Sequence, residues 1–350
     1  MEERGAQLDM TTITNLLGNT AQSGHLRPLD VRRDLGGVAD LVEQCFADTL
    51  DSDGQRYIQQ MRSLSRNPGT LNWIGSFSER TYLPLSGYVW EEEKRIVGNL
   101  TLIPYHVHQE QTLLIANVAV HPDYRRRGIG YRLTARALEH ARQRGIQATW
   151  LHVREENEPA IKLYRSLGFL ERARRTTWIC DGKSSPLQDE PARPADHPAS
   201  APRVSVGVRR AQDWYEQQNW LHRLYPAEVT WHLSLKTAWL RPGLMGFLQR
   251  TFNDINLQQW SAWRGDELLG VLTWNAAHSY ADNIWLAADA EHEEEAATAL
   301  LRYARQQLSP KRPLSLDYPA MHAQLAIQGA GFHAHQTLIW MSVDSSQKSL

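Results

Sequence analysis

Residues 125–130, RRRGIG, join a strand-like run to a helical one. The strand-like run ends at Val120, and from Ile129 to Ala141 apolar residues recur four apart, which predicts an amphipathic helix. Glycines at a helix start let backbone amides approach an anion, and the helix dipole favours negative charge there. Positive side chains at the same place are unfavourable unless an anion compensates them. The stretch therefore predicts a phosphate-binding loop.

Three strand-like runs and two helical runs precede this loop. The strand-like runs are Ser86–Glu91, Arg95–Pro104 and Thr112–Val120, separated by polar turns, which predicts an antiparallel meander. The runs with helical apolar spacing are Asp34–Asp48 and Ser52–Ser65. A strand, a helix and a strand follow the loop helix. This order predicts an α/β (α+β) fold, in which a mixed, largely antiparallel sheet is flanked by helices.

Two further motifs flank the loop at fixed spacing. The residues NVAVHPDY (117–124) lead into it, and NEPAIKLYRSLGF (157–169) follow its helix. Together they resemble the GNAT superfamily of N-acetyltransferases, whose Arg/Gln-x-x-Gly-x-Gly/Ala loop binds the pyrophosphate of coenzyme A. The resemblance covers roughly Leu26–Cys180. It implies that acetyl-CoA is the donor and that a primary amine attacks it directly, without a covalent acyl-enzyme.

The resemblance also implies which residues bind the donor. The pantetheine chain and acetyl carbonyl would lie on backbone groups of one strand segment, which consists of Val118, Ala119 and Val120. The pyrophosphate would lie on the loop and the helix start, which consist of Arg125, Arg126, Arg127, Gly128, Ile129, Gly130 and Tyr131. Asn157 matches a residue that hydrogen-bonds the donor, although an Asn before a helix is equally suited to be its N-cap.

The resemblance implies a general acid but leaves the general base open. Tyr164 matches the family's acid, and a phenol with a pKa of about 10 is protonated at neutral pH; packing under Phe169 is the alternative role. Where one family pattern has a carboxylate, this chain has Leu114. Where the ribosomal-protein N-terminal acetyltransferases have Leu-Glu-Val-Arg, it has LHVR (151–154). Imidazole has a pKa of about 6.5, so His152 is the candidate base, with a structural role as an equal alternative.

Other bases stay open as well. Apart from a chain of water molecules, the candidates are Glu155, Glu156, His106 and His108.

Composition limits the partners and the compartment. At 350 residues, the length favours two domains, and the net charge of -1 gives no general attraction to nucleic acid or to an anionic membrane. No apolar run is long enough to span a membrane. Cys45 and Cys180 have neither a disulfide framework nor zinc-ligand spacing, which favours a reducing compartment. A cytoplasmic enzyme with a small-molecule or peptide amine acceptor is therefore expected, and its oligomeric state is open.

A proline-containing stretch, residues 183–203, lacks apolar residues and is typical of a linker. It predicts a leader (1–24), a catalytic domain (25–182) and a second domain (204–350). The second domain repeats the first at an offset of 163 residues, placing Phe332 on Phe169. The pattern is typical of a tandem-GNAT chain.

At this offset the residues proposed to act are lost from the second domain. Glu291 and Glu293 stand where the first domain has Gly128 and Gly130, and Ile327 replaces its tyrosine. The first domain is thus expected to be intact and the second degenerate. An alternative function is an acyl-CoA sensor without turnover, and another is association alone; the tyrosine beside an intact loop favours the enzyme.

Overall fold

The structure, a computed structural model, describes residues 24–50, 52–66, 86–107, 110–181, 203–231, 233, 235–243, 250–251, 255–277, 280–308 and 312–344. Within these ranges no helix is both long and apolar enough to cross a membrane. The predicted leader and linker lie almost wholly outside them. The described chain forms two compact units. The first holds the residues before 106 and Gln111–Thr149, and the second holds His106–Glu110 and Trp150–Asp344.

The first unit is a sheet with helices, and its elements follow the predicted order. They are β1 (His25–Pro28), α1 (Val31–Phe46), α2 (Ser52–Arg66), β2 (Gly87–Glu92), β3 (Arg95–Val107), β4 (Glu110–Val120) and α3 (Ile129–Gln143). The strand order is β1-β2-β3-β4, and β2 is antiparallel to both of its neighbours. The mixed sheet flanked by helices is confirmed.

The loop helix α3 lies directly on strand β3. Its buried side chains include Ile129 and Leu133, two of the residues predicted from the helical spacing. A Cβ atom on Gly98 of β3 would lie 2.8 Å from Cγ2 of Ile129. Glycine is therefore required where the first turn of α3 crosses the sheet, and this contact fixes where the helix begins.

The second unit begins with the remaining elements of the first half of the chain. These are β5 (Ala148–Arg154), of which Trp150 onward lies in this unit, α4 (Glu158–Ser166) and β6 (Leu170–Cys180). The elements after residue 203 follow. They are β7 (Val204–Val208), α5 (Trp214–Leu224), α6 (Ala227–Thr230), β8 (Leu257–Arg264), β9 (Glu267–Asn275), β10 (Asp282–Ala288), α7 (Glu293–Leu308), β11 (Leu314–Pro319), α8 (Gln324–Gly329) and β12 (His333–Asp344).

From β7 to β12, the described elements repeat the order of those from β1 to β6. Both series run strand, two helices, three strands, helix, strand, helix, strand. The last strands of the two series begin at Leu170 and His333, which are 163 residues apart, as the sequence offset predicts. The repeat found in the sequence is therefore a repeat of structure.

The final strands of the two halves are exchanged, which no local sequence pattern predicted. Strand order in the second unit is β5-β12-β6-β11-β10-β9-β8-β7. Strand β12, from the second half, thus lies between β5 and β6 of the first half, while β6 pairs with β11 of the second half. Leu170 pairs with Ser342 and Ile179 with His333. Since each partner lies 163 residues after the other pair's first member, the ladder has approximate two-fold symmetry.

This exchange explains why the compact units differ from the expected sequence domains. The strands β5 and β6 of the predicted catalytic domain (25–182) pair with strands of the predicted second domain (204–350). Contacts therefore group residues 150–181 with the second half. The boundaries of the sequence domains stay a prediction, as does the cytoplasmic location.

Tryptophans contribute to the core of the second half, as their density there suggested. Trp220, Trp260 and Trp285 are all at most 9% exposed and belong to one buried apolar cluster. Trp231 and Trp239 are only partly buried. The partly buried tryptophans are the ones left to serve another role.

Candidate active site

The turn between β4 and α3 has the geometry of an anion-binding helix start. Arg126 and Gly128 both have left-handed backbone, with φ angles of 65° and 74°. Gly128 is the N-cap of α3; no side chain caps the helix, and its first turn has no acidic residue. The first N–H groups of a helix have no acceptor within it. They are therefore available to an anionic ligand.

Backbone conformation, and not crowding, explains why position 128 is a glycine. A Cβ atom there would meet no atom within 4 Å. A residue with a side chain in left-handed backbone costs about 1–2 kcal/mol, so the glycine relieves strain. The open space beside it leaves room for a ligand to reach the amides.

The three loop arginines are exposed, but their contacts differ. Nε of Arg125 donates to the carbonyl oxygen of Val120 at 3.2 Å. Arg127 donates to the carbonyl oxygen of Asp123 at 3.1 Å. Arg126 makes no hydrogen bond or ion pair within the described part of the chain. Its charge is thus uncompensated beside the uncapped helix start, which favours an anion.

Strand β4 contains an irregularity that the sequence analysis did not identify. Asn117 has a φ of 51°, and its carbonyl oxygen accepts a hydrogen bond from Nδ2 of the buried Asn99 at 2.9 Å. Its own Nδ2 donates to the hydroxyl of Tyr57 at 2.7 Å; burial raises the pKa of that hydroxyl. The left-handed residue interrupts regular strand geometry immediately before residues 118–120. An Asn inside an apolar strand run was the available signal, because Asn tolerates this conformation.

The segment predicted to bind pantetheine follows this irregularity. Val118 and Val120 are half-buried, and Ala119 is 2% exposed. Leu114, where one family pattern has a carboxylate, is buried at 4% exposure. The segment therefore offers backbone groups but no titratable side chain.

Tyr164 lies on α4 in the second unit. The helix begins at its N-cap Asn157, whose Oδ1 accepts from the N–H of Ala160 at 3.3 Å. Tyr164 is 6% exposed and packs edge-on against Phe169, with ring centroids 5.9 Å apart. Burial raises the pKa of its phenol, so the phenol stays protonated at neutral pH. The N-cap and packing alternatives are thus both observed, and a role in donor binding or proton transfer stays a prediction.

The candidate base, His152, is half-buried on β5. Its ring centroid lies 4.1 Å from that of Trp340 on β12, and the two rings are inclined by 30°. The sequence gave no reason to connect residues so far apart along the chain. His152 is therefore held against a residue from the second half.

The alternative bases are less well supported. Glu155 forms an ion pair with Arg174, and Glu156 lies 3.6 Å from a guanidinium nitrogen of Arg154. A carboxylate paired with a guanidinium is a weaker proton acceptor. The side chains of His106 and His108 lie outside the described residues.

In the second half, the place that corresponds to the loop glycines is filled by carboxylates. Glu293 accepts from the hydroxyl of Tyr318 at 2.6 Å and lies 3.0 Å from Nδ1 of His322. Glu294 accepts from the N–H of Ala326 at 2.8 Å. These contacts connect the start of α7 to β11 and to α8. The second half thus has negative charge, already hydrogen-bonded, where the first half has open amides.

Comparison with known proteins identifies the first half. Residues 53–169 match the Acetyltransferase (GNAT) family. This region is a GNAT acetyltransferase domain. It is similar to ribosomal protein bS18-alanine N-acetyltransferase of Escherichia coli (strain K12), with 43% identity over 83 residues, 23% of this chain and 55% of the relative. Over a shorter segment it is similar to mycothiol acetyltransferase of Thermobifida fusca (strain YX), with 54% identity over 52 residues, 15% of this chain and 16% of the relative.

The alignments span about half of the first relative and a sixth of the second. A solved GCN5-related N-acetyltransferase from Sphaerobacter thermophilus matches 95% of this chain and 98% of its own, with a TM-score of 0.54 and 13% identity. This likeness concerns the fold alone. The GNAT domain has its loop residues in the first unit and His152, Asn157 and Tyr164 in the second.

Proposed function

We propose that the chain is an acetyl-CoA-dependent N-acetyltransferase that moves an acetyl group to a primary amine of a small molecule or peptide. The observation that carries the proposal is the uncapped, acid-free start of α3, with left-handed Gly128 and unpaired Arg126 beside it. Among GNAT relatives, the bS18 enzyme acetylates an alanine. A peptide N-terminus therefore heads the set of acceptors to test.

Donor binding uses the backbone more than side chains. The N–H groups of Ile129, Gly130 and Tyr131 would hold the pyrophosphate, because they are the orphan donors of α3. Arg126 would add charge, since no described residue neutralises it. The main chain of residues 118–120 would hold the pantetheine arm beyond the irregularity at Asn117.

Proton transfer would use one residue on each side of the reaction. Acetyl-CoA supplies a thioester whose C–S bond breaks as the new C–N bond forms. His152 would take the proton that the attacking amine loses. Tyr164, kept protonated by burial, would donate its phenolic proton to the departing sulfur and recover one from solvent. An amide and a free thiol result.

The role of Tyr164 can be tested by removing only its hydroxyl. Tyr164→Phe should lower kcat by about 10²- to 10⁴-fold, the usual range for a lost general acid, with little change in donor affinity. Steady-state kinetics and calorimetry measure the two quantities. Tyr225→Phe is a matched control, because it removes another buried hydroxyl, one that donates to the carbonyl oxygen of Asp317. Full kcat in Tyr164→Phe would leave Tyr164 with packing alone.

Donor stoichiometry can be predicted from the carboxylates of the second half. Calorimetry should give one acetyl-CoA per chain. Glu293→Gly should not add a second site, because Glu294 still accepts from the N–H of Ala326 and keeps negative charge at the start of α7. A second equivalent bound by the unaltered chain would contradict the assignment of the second half as degenerate.

A further inference from the structure

We infer that Trp340, from the second half of the chain, is a positioning residue for His152 in the GNAT domain. The inference rests on the proposed function, because it concerns the base of that reaction. It gives the second half a place in the catalytic centre, through one exchanged strand, although its own loop lacks the glycines that a donor needs.

Strand β12 is fixed on both sides. It lies between β5 and β6, and Trp340 pairs across the ladder with Ala173 of β6. On its other side, the end of β5 is tied to it by the N–H of Glu155, which donates to the carbonyl oxygen of Thr337 at 3.0 Å. Trp340 is 2% exposed. Its indole is therefore a rigid surface and not a mobile side chain.

The contact of Trp340 with His152 restricts the imidazole. Ring centroids 4.1 Å apart with an inclination of 30° place the indole face along the imidazole face, at the short end of the range for aromatic pairs. Rotation of His152 about its Cα–Cβ bond would break this contact. A base must be held in the direction of the proton that it takes, and this stacking supplies the restraint.

A second tryptophan contact supports the same face of β5. Trp150 lies two residues before His152, and alternate residues of a strand point to the same side. The ring centroid of Trp150 lies 5.9 Å from that of Trp231, which follows α6 in the second half. Two successive residues on this face of β5 are thus packed against tryptophans of the second half. The partly buried Trp231 thereby has a role outside the main core.

The test compares two substitutions at position 340 with a matched control. Trp340→Leu should lower kcat by about 10- to 100-fold, the scale of a displaced catalytic group, while the KM for the amine and the affinity for acetyl-CoA stay near their original values. Trp340→Phe keeps a stacking ring and should restore most of the lost kcat. Trp178→Leu is the control, because Trp178 is also 2% exposed, lies on β6 and packs in the core of the second half. It should reduce thermal stability and leave kcat unchanged.

A spectroscopic readout separates the contact from its consequence. The His152 Hε1 resonance should be displaced upfield by the indole ring current, and Trp340→Leu should remove that displacement. Unchanged kcat in Trp340→Leu, or an equal loss of kcat in Trp178→Leu, would overturn the inference while leaving the proposed function intact. Absence of turnover in the unaltered chain with every amine would instead overturn the proposed function, and the role of Trp340 with it.

Discussion

A chain ending at Asp181 will lose all detectable transferase activity and will not unfold cooperatively. This truncation removes β12, which separates β5 from β6, and β11, the other neighbour of β6. The backbone of β6 would then keep neither of its partner strands, and unpaired strands are prone to aggregate. The sequence alone suggested the opposite, that donor binding would survive deletion of residues 204–350. Exchange of the final strands makes that expectation wrong.

Circular dichroism melting and a thiol-release assay would measure the outcome. Producing residues 204–350 as a separate chain in the same cells provides the control, because it restores β11 and β12 without restoring the covalent link. Activity should return when the two chains are purified together. A truncated chain that melts cooperatively and turns over like the whole protein would show that the exchanged strand is dispensable.

Gly128→Val will weaken acetyl-CoA binding by at least about 100-fold. Left-handed backbone costs a residue with a Cβ about 1–2 kcal/mol and a β-branched residue more. The loop will relax toward ordinary backbone and turn its amides away from the pyrophosphate. Each factor of ten in affinity corresponds to about 1.4 kcal/mol, so the loss of two or more oriented amides is enough for this effect.

Gly145→Val is the matched control for this substitution. Gly145 also has a left-handed φ, 67°, and a Cβ there would likewise meet no atom within 4 Å. It follows the other end of α3, where Gly145 N–H donates to the carbonyl oxygen of Arg142. Both variants should lose similar stability, but only Gly128→Val should lose donor affinity by calorimetry. Equal affinity in the two variants would place the pyrophosphate elsewhere.

The sequence predicted the parts of the fold that depend on local patterns. Helix α3 followed from its four-residue spacing, since one face of a helix must be apolar to pack on a sheet. The loop followed from Gly128, because a left-handed residue at a helix start favours glycine. The internal repeat followed from the spacing between corresponding residues, and the strands at the ends of both halves match it.

Features that depend on distant partners did not follow from the sequence. The pattern of β12 shows a strand, but nothing in it states that β5 and β6 are its neighbours. The stacking of Trp340 on His152 depends on that pairing, so it could not be predicted either. Asn117 was judged as a side chain that cannot titrate, whereas its structural importance is the φ of its backbone.

Turnover by the full chain is the most direct test of the proposed transferase. The protein would be incubated with acetyl-CoA and a panel of amines that includes peptide N-termini, amino sugars, polyamines and amino acids. Release of the coenzyme A thiol and the mass of the acceptor would be measured together, with Tyr164→Phe as the matched inactive protein. We expect at least one amine to be acetylated in equal amount to the thiol released. Binding of one acetyl-CoA per chain, without thiol release above the Tyr164→Phe rate for any amine, would contradict the enzyme and show a sensor of acyl-CoA instead.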